Sequence, residues 1–188
     1  MVNFQNTKQM NKHLRSVLIA AAILLLISGC KKWYKYDEMT LVKQPYNGTE
    51  LRLDGYYYDM EDGQIWGTYF FYQDGTILYG CGTDTVDKGS LEDYDAWFSS
   101  DYFRDYIKTD RHRWGLFEIQ DDSIALERWG IVEWHDPVLH FSGQILNDTT
   151  FIITRCENPH TGSTHQYNDL YHFRQFSPKP DSTNTFIP

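Results

Sequence analysis

The stretch WGLFEIQDDSIALERW, residues 114–129, decides the fold. Apolar and polar side chains alternate on both sides of a central Asp-Asp pair, which is the pattern of two antiparallel strands joined by a tight turn. With a two-residue turn at the centre, cross-strand partners have numbers that sum to 243. One face of the predicted hairpin then carries four apolar side chains: Phe117, Ile119, Ile124 and Leu126.

The same register places Arg128 opposite Gly115, in line with those apolar positions. An inward guanidinium beside this apolar face and Phe141 is suited to pair with a ligand carboxylate, because such a contact is strong when water is excluded. Two other interpretations stay open. In the first, a β-bulge at Gly130 turns Arg128 back to solvent. In the second, Arg128 lies at the solvent-filled open end of the fold.

Short apolar and aromatic runs alternate with turn residues on both sides of this hairpin, which predicts further antiparallel strands. Asp74-Gly75 and Asn147-Asp148 occupy the turn positions of two more hairpins, and the glycine tolerates the positive φ that such turns need. Eight strands are predicted: Leu51–Asp59, Trp66–Gln73, Thr76–Cys81, His112–Gln120, Ser123–Glu133, Val138–Leu146, Thr149–Cys156 and Gln166–Phe176.

Counting outward from these two turns assigns further residues to the more apolar face of each hairpin. The first turn gives the set Phe70, Tyr72, Ile77, Tyr79 and Cys81. The second turn gives the set Leu139, Phe141, Ile145, Ile152 and Cys156.

The long gap from Gly82 to Arg111 contains an insert around residues 90–107. Ser90 followed three residues later by Asp93 is typical of a helix start, with the serine as the cap. Aromatic and apolar residues then recur at helical spacing, which predicts a short amphipathic helix. The alternative is an aromatic-rich loop packed on the outside.

Together these patterns predict an all-β fold, an eight-stranded antiparallel up-and-down barrel whose closure removes the exposed sheet edges. Three pieces, Gly55-Tyr56-Tyr57, the Phe71–Ile77 hairpin and residues 114–129, make residues 51–176 resemble the lipocalin-like (calycin-type) domains of small bacterial outer-membrane lipoproteins. The resemblance implies a cup for a small hydrophobic or amphipathic ligand. It also implies a floor arginine, Arg174, stacked on Tyr57.

The resemblance and the predicted faces nominate six ligand-binding residues: Tyr57, Phe70, Tyr79, Phe117, Arg128 and Phe141. A cavity lined by Phe70, Phe117 and Phe141 would favour this function. A filled core with tryptophans clustered outside would favour the alternative, a non-catalytic accessory lipoprotein that binds glycan or a protein partner through surface aromatics. The tryptophans concerned are Trp66, Trp97, Trp114, Trp129 and Trp134.

The N-terminus carries a basic leader and an apolar run that ends in Leu26-Ile27-Ser28-Gly29-Cys30. This predicts a signal peptide over residues 1–29, and its end resembles the lipobox of bacterial lipoproteins, which implies acylation of Cys30, with palmitate among the attached chains. The alternative is an ordinary signal peptide with a chance cysteine. Residues 30–50 are then a lipidated tether, and residues 177–188 a flexible C-terminal tail.

The predicted mature chain has 14 basic and 26 acidic residues, a formal charge of −12. Such acidity argues against a nucleic-acid partner, since phosphate binding needs clustered Lys and Arg. It also means that attachment to the outer membrane must rest on the lipid. Whether the domain faces the periplasm or the cell surface stays open.

The chemistry-bearing residues give little sign of catalysis. The chain lacks Gly-x-Ser-x-Gly, and its cysteines lie in no recognisable catalytic setting, so we predict neither an enzyme nor a cofactor. Cys81 and Cys156 form a candidate disulfide, with two buried reduced thiols as the alternative. A weaker hypothesis is a zinc site at Cys156, His160 and His165, with Glu157 as fourth ligand, although we predict no metal.

Overall fold

The computed structural model describes residues 35–80, 89–131 and 135–188. Eight strands close an antiparallel barrel, in which each pairs with the next along the chain and the last returns to the first. Two further short strands, β1 (Lys35–Tyr36) and β7 (His135–Asp136), pair with each other. The barrel strands are β2 (Gly55–Glu61), β3 (Gln64–Phe71), β4 (Thr76–Gly80), β5 (Trp114–Gln120), β6 (Ser123–Trp129), β8 (Val138–Asn147), β9 (Thr150–Asn158) and β10 (Ser163–Gln175). The predicted all-β, eight-stranded antiparallel barrel is confirmed.

The central hairpin has the predicted register. Phe117 pairs with Leu126, and Gly115 pairs with Arg128. Asp121 adopts a φ of 54° at the turn, a left-handed conformation that aspartate accepts more readily than most residues. The apolar side chains that alternate along β5 and β6 therefore face the barrel interior, as predicted.

The β3–β4 hairpin differs from prediction by one residue. The loop spans Gln73–Gly75, because the Tyr72 N–H donates to the Thr76 carbonyl at 3.0 Å and Gly75 takes a φ of 87°. A three-residue loop shifts the register, and because strand faces alternate the shift exchanges the two faces of β3. Phe70 therefore points away from the barrel interior, and its predicted role in ligand binding is wrong. The inner residues of this hairpin are Tyr69, Phe71, Ile77 and Tyr79.

The β8–β9 hairpin turns at Asp148-Thr149, one residue later than predicted, and β-bulges interrupt its register at Ser142/Gly143 and Ile145/Asn147. The predicted inner position of Ile152 is wrong, because it pairs with Gln144 and is absent from the inner core. The inner residues are Phe141, Ile145, Phe151, Ile153 and Cys156.

A second core lies outside the barrel, beneath the insert. Helix α1 (Leu91–Phe98) begins at a Ser90–Asp93 capping box, as predicted, and α2 (Asp101–Asp105) and two single 3₁₀ turns follow it. Asp95 of α1 accepts hydrogen bonds from the Tyr56 hydroxyl at 2.9 Å and from Arg174 Nε at 3.0 Å. Arg174 therefore points outward beside Tyr56, and the predicted stacking on Tyr57 is wrong.

The described part of the predicted tether lies against the barrel. Met39 and Leu41 pack on the outer core. The carboxylate of Glu127, 3% exposed, accepts hydrogen bonds from the backbone N–H groups of Thr40 at 2.7 Å and Leu41 at 3.0 Å. It also accepts from the Thr40 hydroxyl and contacts His140 Nε2 at 3.1 Å. Residues 36–50 are therefore part of the domain, contrary to the prediction.

The C-terminal segment is packed as well, so the predicted flexible tail is wrong. Ile187 is buried in the outer core. Lys179 Nζ donates to the carbonyls of Leu53 at 2.6 Å and Phe71 at 2.8 Å, and lies 4.4 Å from the ring centre of Tyr72. Burial lowers the pKa of Lys179 to about 8. Direct contacts with the barrel fix this segment although it has no regular secondary structure.

Candidate functional site: the charged end of the barrel

One end of the barrel is filled by aromatic side chains. This closed end carries the turns at residues 73–75, 121–122 and 148–149, and residues 46–53 cross it. The Tyr57 hydroxyl donates to the Asp148 carbonyl at 2.7 Å and accepts from the Arg52 N–H at 2.9 Å. The ring of Phe117 packs edge-on against Phe71, with centroids 5.0 Å apart. Tyr57 and Phe117 lie on the inner face as predicted, but they fill this end.

Arg128 points into the opposite half of the barrel. Its guanidinium carbon lies 4.2 Å from the ring centre of Tyr79 and 4.9 Å from that of Phe141, both of which were predicted to line the site. The hydroxyl of Tyr69 is a further polar neighbour. The bulge at Gly130 that would have returned Arg128 to solvent is not formed, because β6 keeps its register with β8 to Trp129.

Arg128 has no acidic partner among the residues that the structure describes. Among residues 35–80, 89–131 and 135–188, no carboxylate forms an ion pair with it, and its buried Nε atom has no hydrogen-bond partner there. Burial lowers the pKa of Arg128, but the phenols of Tyr69, Tyr79 and Tyr171 outweigh burial and raise it above its usual value. The guanidinium is therefore cationic, surrounded by rings and hydroxyls, and only half-buried.

Two carboxylates lie at the same end of the barrel. Asp59 pairs across β2–β10 with Tyr171, which belongs to the inner core, and Asp169 precedes Tyr171 by two positions on β10. Burial, followed by the nearby charges of Asp169 and Glu61, raises the pKa of Asp59 to about 6. Burial also raises the pKa of Asp169. We call the region around Arg128, Asp59 and Asp169 the charged end.

The prediction missed several of these neighbours. Asp59 follows Tyr57 by two residues on one strand, so period-2 alternation was the signal that could have found it. Tyr69 was missed through the register error in the β3–β4 hairpin. Asp169 was missed because the register of β10 shifts between Gln166 and Asp169, and alternation alone does not reveal such a shift.

The predicted cysteine and metal sites are only partly described. Cys156 is buried, and burial raises the pKa of its thiol. Cys81 lies outside the described residues, so the bridge stays a prediction. His165 pairs across the strands with Cys156 but is exposed. Within the described parts of the chain, the set with metal-ligand spacing joins His160 to Asp37 and His135 instead.

Three of the tryptophans predicted to be exposed are buried. Trp97, Trp114 and Trp129 belong to the outer core. The indole N–H of Trp114 donates to the Lys108 carbonyl, and that of Trp129 donates to the Asp37 carbonyl. Trp66 is 59% exposed, and Trp134 lies outside the described residues. Trp114 and Trp129 do point outward from the sheet, but the insert and the terminal segments cover them, and Trp97 belongs to helix α1 of the insert.

No family model, curated protein or solved structure matches this chain. Its fold is an antiparallel β-barrel of a kind compatible with ligand binding, closed at one end and lined with charged and phenolic groups at the other. None of the helices in the described ranges is long and apolar enough to cross a membrane. The predicted signal peptide and Cys30 lie outside those ranges.

Proposed function

We propose that this protein is a lipid-anchored binding protein of the cell envelope whose barrel holds a small amphipathic ligand by an anionic group at Arg128. One observation carries the proposal: a half-buried arginine on the inner face of a closed barrel lacks a carboxylate partner among the described residues. Desolvating a charge costs several kcal/mol unless it is paired, so an arginine kept in such a position favours a ligand that supplies the missing anion.

The surroundings of Arg128 also restrict the ligand. The rings of Tyr79 and Phe141 offer apolar contact beside the guanidinium. Because Tyr57, Phe71 and Phe117 fill the closed end, the bound part of the ligand must fit within the charged half of the barrel. These features support a short amphiphile rather than a wholly apolar molecule. Attachment through Cys30 is part of the proposal and rests on the sequence Ile27-Ser28-Gly29-Cys30.

The first test replaces Arg128 with methionine, which keeps the length and the apolar character of the stem. We expect the affinity for dansyl-undecanoic acid, measured by fluorescence titration of the detergent-extracted full chain, to fall by about 10-fold to 100-fold. That range corresponds to the loss of a charge-assisted hydrogen bond worth about 1.5–3 kcal/mol. We also expect the variant to be at least as stable as the parent, because an unpaired charge leaves the barrel.

The matched control is Arg155→Met, on the outside of β9, where Arg155 pairs with Glu157 at 2.7 Å. It should leave binding unchanged. Dodecanol serves as an uncharged probe: the parent should prefer the acid, and Arg128→Met should lose that preference. If Arg128→Met is folded and binds the acid as tightly as the parent does, the proposal is wrong.

A second prediction concerns pH. Since the pKa of Asp59 is raised to about 6, its carboxylate is charged at pH 7.5 and mostly neutral at pH 5. Neutralisation removes repulsion of an anionic ligand, so affinity should increase as pH falls through about 6. Decanesulfonate, which stays ionised throughout this range, should bind about threefold or more tightly at pH 5 than at pH 7.5 in calorimetric titrations.

The Asp59→Asn variant should bind decanesulfonate at pH 7.5 about as tightly as the parent does at pH 5, and most of the pH dependence should disappear. Asp122→Asn, at the exposed turn of the closed end, should retain the parent's pH dependence. An unchanged pH dependence in Asp59→Asn would show that other groups control access of the anion.

A further inference from the structure

Three potential metal ligands from distant parts of the sequence converge near the strand pair formed by β1 and β7. Asp37 directly follows β1, His135 begins β7, and His160 lies in the turn between β9 and β10. Their ligand atoms all lie within 4.8 Å of one another. His135 Nε2 is 3.1 Å from Asp37 Oδ2, and the centres of the two imidazole rings are 4.3 Å apart with a tilt of 32°.

Hydrogen bonds of their backbone N–H groups hold Asp37 and His160 in place. The Asp37 N–H donates to the Asp136 carbonyl at 3.1 Å, which fixes β1 beside β7. The His160 N–H donates to Asn158 Oδ1 at 3.0 Å within the β9–β10 turn. The backbone at Asp37 and His160 is therefore positioned by contacts that do not depend on an ion, which lowers the ordering cost of binding one.

The donor set has a defined chemical preference. Two imidazoles and one carboxylate suit a borderline divalent transition metal such as Zn²⁺, and three protein ligands leave a position for water. A cleft of about 320 Å³ is lined by Asp37, His160 and additionally Glu38 and His140, so it has room for that water or a fourth side chain. A hydrogen bond between Asp37 and His135 explains one contact, but it leaves the close approach of His160 unexplained.

We propose that Asp37, His135 and His160 bind one Zn²⁺ ion, which ties the N-terminal strand to the β9–β10 turn of the barrel. The inference is independent of ligand binding at Arg128, because it uses different residues and a different probe. It differs from the predicted Cys156, His160 and His165 set in two of its three ligands. The consequence is a metal-dependent attachment of Asp37, directly after β1, to the barrel.

The test uses the full chain in detergent, without a polyhistidine tag, after treatment with a chelator. Calorimetry with ZnCl₂ should show one ion per chain. At free Zn²⁺ about one hundred times Kd, the Tm should rise by about 5–10 °C. Co²⁺ should bind at the same site and give visible absorption bands of a low-coordinate ion.

Matched variants identify the ligands. His160→Asn and Asp37→Asn should each weaken Zn²⁺ binding at least tenfold, whereas His165→Asn, an exposed histidine on β10, should leave it unchanged. His160 is itself exposed in a turn, so its replacement should preserve the fold. Absence of saturable binding, equal affinity in His160→Asn, or loss of binding in His165→Asn or Cys156→Ser would overturn the proposal.

Discussion

Replacing Glu127 with alanine is expected to lower the free energy of unfolding by about 3–5 kcal/mol. The substitution removes the acceptor for the backbone N–H groups of Thr40 and Leu41, together with the contact to His140. Hydrogen bonds to a charged group are worth about 1.5–3 kcal/mol each, and donors left unpaired cost more than the bonds contribute. In thermal unfolding followed by circular dichroism, the Tm should fall by about 10 °C.

Glu118→Ala is the matched control, since Glu118 lies on the same outer face of the sheet and hydrogen-bonds the Gln120 side chain. Its effect should stay within about 0.5 kcal/mol. Hydrogen exchange separates global from local effects: if only the N-terminal segment detaches in Glu127→Ala, the Thr40 and Leu41 amides lose protection first. A stability change below about 1 kcal/mol with both amides still protected would contradict the role assigned to Glu127.

The second large effect is unfolding at high pH. Burial raises the pKa of Tyr46 to about 12 and raises that of five further tyrosines: Tyr56, Tyr57, Tyr69, Tyr72 and Tyr171. An unfolded chain releases these protons near pH 10, so above that value the folded state holds more protons than the unfolded state and stability falls as pH rises. Each tyrosine lowers the free energy of unfolding by about 1.4 kcal/mol per pH unit above pH 10. Six tyrosines together lower it by about 8 kcal/mol per pH unit.

A domain with about 5–15 kcal/mol of stability should therefore unfold at about pH 11. Lys179 acts in the opposite direction: since its pKa is lowered to about 8, stability rises between about pH 8 and pH 10. Phenolate absorbance and circular dichroism should change together in a pH titration. Titration of all phenols near pH 10 with an unchanged dichroism spectrum would contradict the burial of these side chains.

The variant Tyr72→Phe tests the alkaline unfolding transition at a single buried side chain. Within the described chain, its buried hydroxyl has no hydrogen-bond partner, so Tyr72→Phe should cost no stability at neutral pH and should move the alkaline midpoint upward. Tyr106→Phe, at an exposed residue after α2, should leave the midpoint unchanged. Equal shifts in the two variants would mean that burial does not control the transition.

The sequence was sufficient for the barrel because short apolar and aromatic runs recur between turn residues, and for the 114–129 hairpin because one register alone aligns Phe117, Ile119, Ile124 and Leu126. The sequence was insufficient to determine the loop length at Asp74-Gly75, because a glycine at positive φ occurs in hairpin loops of two residues and of three residues. The terminal segments were missed for another reason. Met39 and Ile187 pack without any regular period, and periodicity reports only regular structure.

The candidate site was predictable in part. Arg128 followed from register arithmetic on one hairpin, with Phe141 predicted beside it, and Tyr79 was predicted to belong to the same ligand site. Asp169 was not predictable, since it depends on a strand irregularity that period-2 alternation cannot register. Convergence of Asp37, His135 and His160 depends on contacts between segments about 100 residues apart, which no local pattern contains.

The pairing of β1 with β7 has a consequence for how the barrel meets its ligand. Asp37, next to Tyr36 of β1, is fixed beside β7, which lies between the ends of β6 and β8 that flank Arg128. Only six residue steps separate Cys30 from Tyr36, and even a fully extended chain of that length spans no more than about 20 Å. Under the proposed acylation, this length limits how far Tyr36 can lie from the lipid. A short tether would raise the effective concentration of membrane amphiphiles at the barrel, so delivery from the membrane would be faster than capture from bulk solution.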